Sequence, residues 1–151
     1  MASTTFSGPV TSTNGFIGAL TGNIAGTGRI THATTAAINV TAVATAAQVA
    51  TGYITSTSAA GTAITLPTGT LLGAALGAAR GTIFDLYVDN TAGASTVTMV
   101  VAVNGILSAG AADIGAGVAF GLLTVPSGAT GLACFRIMFS SATAYAFSRI
   151  A

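Results

Sequence analysis

Ionised side chains are almost missing from this sequence, and that scarcity limits both what the chain can fold into and how it can exist in water. There is no lysine and no glutamate; Arg29, Arg80, Arg136 and Arg149 stand against Asp85, Asp89 and Asp113, so that 5% of residues are charged. Globular domains usually carry about 25%. Hydrophobic residues make up 52%, much of it alanine, and the polar remainder is Thr and Ser with 20 glycines. A surface of hydroxyls and small side chains has weak colloidal protection against self-association. The physical resolution is that other protein, copies of the same chain or a larger lattice, covers much of that surface in the working state. A net charge of +1 gives no field for steering nucleic acid, and four scattered arginines form no basic stripe.

The mean hydropathy of +0.82 raises the question of a membrane, but crossing one by a helix takes about 20 apolar residues in a row. Ile114 to Val125 is short and Gly-rich, and Leu71 to Ala79 ends at Arg80. Met1 to Val10 has no basic start and no apolar stretch, and it contains Pro9, so it does not read as a secretory signal. The expectation is a chain made and used without crossing a membrane. Its single cysteine, Cys134, lies in an alternating apolar stretch and is expected as a small buried hydrophobe.

Along the chain, residues 1–47 contrast with the rest. Large apolar residues occur there singly, at a density too low to close a core, so the segment can order only by laying its anchors on another surface. An extended N-terminal arm is predicted, with Phe6, Pro9, Phe16, Ile17, Leu20 and Ile24 as its candidate partner-binding residues. Ala42 to Ala50 is left open between helix and strand, because alanine favours helix while its Thr and Val neighbours do not.

Residues 48–151 read as a β domain with turn signals at short intervals. Strands are predicted over Tyr53 to Thr57, Thr62 to Leu66, Phe84 to Asp89, Thr96 to Val103, Val118 to Val125, Leu132 to Phe139 and Tyr145 to Ile150. Phe84, Leu86 and Val88 alternate with Asp85, Tyr87 and Asp89, which sets one core face and one wet or partner face. Thr96 to Val103 is nearly all apolar from Met99 on and is expected to be covered on both faces. Asn90 to Ala94 and Asn104-Gly105 read as hairpin turns, and Ser140 to Thr143 as another turn. One short helix is predicted over Leu71 to Ala79, with Arg80 in its last turn and Gly81 past its end. The fold class that follows is all-β, a β-sandwich or jelly-roll-like barrel with an extended N-terminal arm and one short helix.

Catalytic chemistry finds few candidates. The one histidine, His32, lies in the low-density segment, and no serine sits in a Gly-x-Ser-x-Gly elbow. Asp85 and Asp89 share a strand face, yet four residues of strand put them about 13 Å apart, beyond either glycosidase spacing. They are expected to be exposed, or paired with Arg136 or Arg149. One His, one Cys and three Asp supply no spaced zinc set, and Asp89-Asn90 falls short of a calcium site; a structural ion on a symmetry axis stays open. Gly115, Gly117 and Gly121 imitate a dinucleotide fingerprint with the wrong spacing. No cofactor and no catalytic residue is expected.

Several strings carry a resemblance. Thr5-Phe6-Ser7-Gly8-Pro9-Val10-Thr11-Ser12-Thr13-Asn14-Gly15-Phe16, Phe84-Asp85-Leu86-Tyr87-Val88-Asp89-Asn90-Thr91-Ala92-Gly93-Ala94, Leu123-Thr124-Val125-Pro126-Ser127-Gly128 and the ending Ser141 to Tyr145 with Ser148-Arg149-Ile150 resemble head decoration (cement) or head-fibre-like proteins of tailed bacteriophages. The resemblance implies a trimer of β-sandwich subunits on the outer capsid surface, with an arm over the major capsid protein. The implied task is mechanical, bridging capsomers against internal DNA pressure without an active site. A tail-fibre, collar or baseplate part is the alternative within virions; an ice- or carbohydrate-binding β protein is the alternative outside them.

Overall fold

The computed structural model describes His32, residues 34–107 and residues 123–151. All fall in the unit Thr31–Ala151; Met1–Ile30 forms the other unit. The described chain is largely β, in two mixed sheets. The first six strands are β1 (Ala36–Ala37), β2 (Ala42–Val43), β3 (Tyr53–Thr55), β4 (Thr62–Thr65), β5 (Ile83–Asp89) and β6 (Val97–Val100). After them come β7 (Gly105–Leu107), β8 (Thr124–Val125), β9 (Leu132–Ser141) and β10 (Ala144–Arg149). The six-stranded sheet has the order β1-β3-β5-β9-β10-β7 and the four-stranded sheet the order β2-β4-β6-β8.

From β1 to β6 the chain winds as a coil, placing one strand in the larger sheet and the next in the smaller. Neighbours in each stack therefore run parallel: β1 on β3 on β5, and β2 on β4 on β6. The winding ends when β8 and β9 return antiparallel to β6 and β5. Apolar residues from both sheets meet in one core, including Ile54, Leu86, Phe135, Ile137 and Phe147 from the larger and Ile64, Val97, Met99 and Val125 from the smaller. Within it Phe135 and Phe147 stack with centroids 4.9 Å apart, and the buried Tyr145 hydroxyl donates to the Pro67 carbonyl at 3.1 Å.

Several expectations are corrected here. The stretch 34–47, read as part of an arm, contributes β1 and β2 to the sheets, and Ala36, Ile38 and Ala44 are buried in the core. Its few apolar residues suffice because larger neighbouring strands supply the rest of the cover. Two α-helices are present among the described residues instead of one. The first, α1 (Ala46–Ala50), is held by a capping box in which Thr45 and Gln48 bond each other's backbone N–H. The second, α2 (Gly69–Leu76), starts and stops earlier than expected. Thr68 caps its start, and Gly77 ends it at φ 58, a left-handed conformation that glycine adopts without a Cβ clash. Gly73 sets its depth, since a side chain there would run into the Ala142 carbonyl of the β9–β10 turn.

Two expected hairpins are crossovers. Asn90 is fully buried, and its side-chain amide donates to the carbonyls of Ser95, Val125 and Pro126 at 2.8, 3.1 and 3.0 Å. The loop folds about this amide and delivers β6 to the other sheet. Asn104, at φ 62, turns the chain back, so that β7 pairs parallel with β10 and not with β6. The expected turn at Ser140 to Thr143 does join an antiparallel pair, β9 and β10. The stretch Thr96 to Val103 is covered on one face alone: Val97 and Met99 are buried, while Val100 and Val103 are 38% and 72% exposed. Of the expected strand Val118 to Val125, Thr124–Val125 is a strand. Its first part, and the loop at 108–117, lie outside the described residues.

Replacing Asn90 removes the shared donor of three carbonyls, of which that of Val125 is buried. Asn90→Ala is expected to lower unfolding stability by about 3 kcal/mol, read by urea denaturation. Asn90→Asp keeps the size but loses the donor, and is expected to be at least as damaging near neutral pH.

Candidate functional site

The alternation of β5 pushes Asp85, Tyr87 and Asp89 away from the core, and β3 and β9 add their own outward residues beside them. Register places Tyr53, Tyr87 and Cys134 in one row across β3, β5 and β9, and sets Asp85 directly opposite Arg136. The outward face of the six-stranded sheet thereby collects three of the charged residues.

Arg136 grips Asp85 with two parallel bonds, Nε to Oδ1 at 2.7 Å and Nη2 to Oδ2 at 2.8 Å. This bidentate geometry fixes orientation; with side chains 38% and 33% exposed, solvent screens most of its energy. The guanidinium, by hydrogen bond and charge, holds the Asp85 carboxyl below the usual carboxylate range. Asp89 is held low as well, chiefly by the hydroxyl and backbone N–H of Thr91, which donate to Oδ1 at 2.6 and 2.9 Å. Its Oδ2 accepts from the Tyr53 hydroxyl at 2.9 Å.

His32 lies against both tyrosines, with ring centroids 5.8 Å from Tyr53 and 5.6 Å from Tyr87. The tyrosines stack on each other at 6.2 Å. The imidazole Nδ1 is 2.9 Å from the Thr51 carbonyl, and the ring occupies the space that a side chain at Gly52 would need. His32 thus packs onto the outward face of the sheet. Burial pushes the Cys134 thiol up, which keeps it protonated, and the Tyr53 hydroxyl is raised by burial and then by Asp89. Cys134 is buried, as expected of it.

Each polar group here is engaged with a neighbour. Both carboxylates are held ionised, the imidazole faces a backbone carbonyl, and the thiol is neutral; the set clamps three strands and presents a mixed aromatic and charged surface. Among the described residues no three His, Cys, Asp or Glu side chains gather as a metal would need. Of the two arginines expected as partners, Arg136 pairs with aspartate, while Arg149 bonds the Thr124 and Ala151 carbonyls at 2.8 and 3.1 Å. The candidate binding residues Phe6, Pro9, Phe16, Ile17, Leu20 and Ile24 lie outside the described residues. The Tyr53–Tyr87–His32 cluster escaped sequence reasoning. Its one visible signal was a tyrosine at a polar position in each of two strands.

Depressed carboxylates stabilise the fold above their unfolded pKa, about 3.9, and that contribution is lost as pH falls through the lower folded values. The Tm is therefore expected to hold down to about pH 4 and then fall. Asp85→Asn combined with Asp89→Asn should lower Tm at neutral pH yet give a shallower acid limb in circular dichroism melts. Parallel acid limbs in the two proteins would count against this role.

Comparison with protein-family models, with curated proteins and with solved structures finds no match to this chain.

Proposed function

We propose that the chain is a non-enzymatic virion structural protein, a capsid decoration (cement) protein that binds the outer capsid surface as a homotrimer and stabilises the shell. The observation that carries this reading is the make-up of the surface. Nine large apolar side chains are exposed on the described unit, among them Val40, Val43, Leu71, Val103 and Ile106, in a chain with four arginines and three aspartates to keep it dispersed. Scattered apolar residues are normal on a monomer. So many with so little charge suit a protein that other subunits cover.

In this reading the two sheets are the layers of a β-sandwich, and the N-terminal segment is the capsid-binding arm. Phe6, Phe16, Ile17 and Leu20 each contribute about 1.5–3 kcal/mol when fully covered. Three arms per trimer then give avidity without any single strong contact. The partners are copies of itself and the major capsid protein, and the site of action is the virion.

Native mass analysis of the purified chain is expected to show a trimer. Deleting Met1 to Ile30, the unit that precedes the β fold, is expected to leave a folded domain that no longer binds phage heads stripped of the protein. Copy number separates head from tail: hundreds per particle fit a decoration protein, a handful fit a fibre or baseplate part. A dispersed single subunit with no affinity for any particle would overturn the proposal.

A further inference from the structure

The outward face of the four-stranded sheet is built differently from that of the six-stranded one. Register lines up Val43, Thr65 and Val100 across β2, β4 and β6, and Ala63 beside Thr98. These residues alternate with the buried Ile64, Val97 and Met99, so they point away from the core. From β2 to β6 this face carries no charged side chain. Arg149 borders it only at β8, through the Thr124 carbonyl.

Beside these rows lies a cleft of about 500 Å³, where the strand ends run into α1 and α2; Val43, Thr65, Pro67, Leu71 and Ala102 line it. Of the three threonines that line it, Thr45, Thr65 and Thr68, two have their hydroxyl oxygens engaged in helix caps. Thr45 Oγ1 accepts from the Gln48 N–H at 3.2 Å, and Thr68 Oγ1 from the Leu71 N–H at 3.3 Å. A small polar ligand would therefore find few convergent partners here, contrary to what such sites need. The rim is apolar as well, with Val43 67% and Leu71 60% exposed.

We infer that this face and its cleft form the self-association surface of the protein, and that a second copy of this chain occupies it. The inference rests on the assembly proposed above and names the surface that makes it. Charge argues for the occupant. A partner with ordinary surface charge would bury unpaired ions against a face that has no counter-ion to offer. The same chain brings Val, Leu, Ala and Thr and almost no charge. Area argues for the extent. Strands of two, four and four residues, at about 3.3 Å per residue and about 4.8 Å spacing, give roughly 160 Å², well below the ~800 Å² that each partner contributes to a specific interface. The contact must then run on over the cleft and Leu71, which continue the patch from Val43 and Thr65.

The test compares native mass spectra of the full chain with those of Val43→Asp combined with Leu71→Asp, and of Leu132→Arg. Leu132 is an exposed apolar residue of the other sheet, 51% accessible. The double variant is expected to weaken assembly by about 100-fold or more while its circular dichroism stays that of the parent. Leu132→Arg is expected to assemble as the parent does. An assembled parent with an equally assembled double variant overturns this surface and leaves the proposed function standing. A parent that is a single subunit overturns both, and thermal hysteresis in that monomer would give the face to ice instead. Hydroxyl-radical footprinting of the unmodified chain needs no variant: Val43, Leu71 and Val100 are expected to be protected in the assembly and labelled after dilution, and equal labelling in both states rejects the inference.

Discussion

A single buried amide decides the path of this chain. Asn90 follows the last residue of β5, the strand that joins the parallel coil to the antiparallel return, and ties the carbonyls of Ser95, Val125 and Pro126 to one point. One of these bonds reaches along the following loop; the others reach the end of β8, on the far side of the chain. Without that knot the loop after β5 would be free to fold back as a hairpin. With it, the chain leaves the larger sheet, and residues of two sheets fed alternately share one core. The Asn90 side chain is itself buried and its bond to the Val125 carbonyl is closed to water, where losing it is costly, so the turn is held firmly.

The same winding sorts the surface. Passes through the larger sheet set down the outward Tyr53, Asp85, Tyr87, Asp89 and Arg136, and passes through the smaller set down Thr, Ala or Val. The result is one face that clamps itself with Arg136–Asp85 and Tyr53–Asp89, and another with nothing to repel a neutral neighbour. Sparse charge is thus unevenly placed as well as scarce, and this placement is what turns a composition argument into a location.

Strands with a clean two-residue period were legible in the sequence. In β5, Leu86 and Val88 are buried and Asp85 and Asp89 face out, and in β9 Phe135, Ile137 and Phe139 face the core. The two edge strands of the first coil were not legible, because Ala36–Ala37 and Ala42–Val43 are too short and too small to show a period. The Thr45-x-x-Gln48 spacing was a readable helix start that the surrounding Thr and Val obscured. Turn chemistry at Asn90 and Asn104 identified where the chain bends, but a bend does not say which strand comes next to which. That depends on partners far along the chain, as does the meeting of His32 with Tyr53 and Tyr87. The pairing of Arg136 with Asp85 was within reach as one of two possibilities, and only strand order chose between them.

The topology also carries a kinetic consequence. Among the pairings described, only β9 with β10 joins strands that follow each other directly; every other neighbour is reached across an intervening segment, as where Gly105 meets Tyr145. Closing such loops precedes any reward from the contacts they bring, so slow folding is expected. During that delay apolar strands lie open in a chain that has no lysine or glutamate to guard them. Dilute synthesis or early chaperone contact would then govern yield more than the stability of the finished fold.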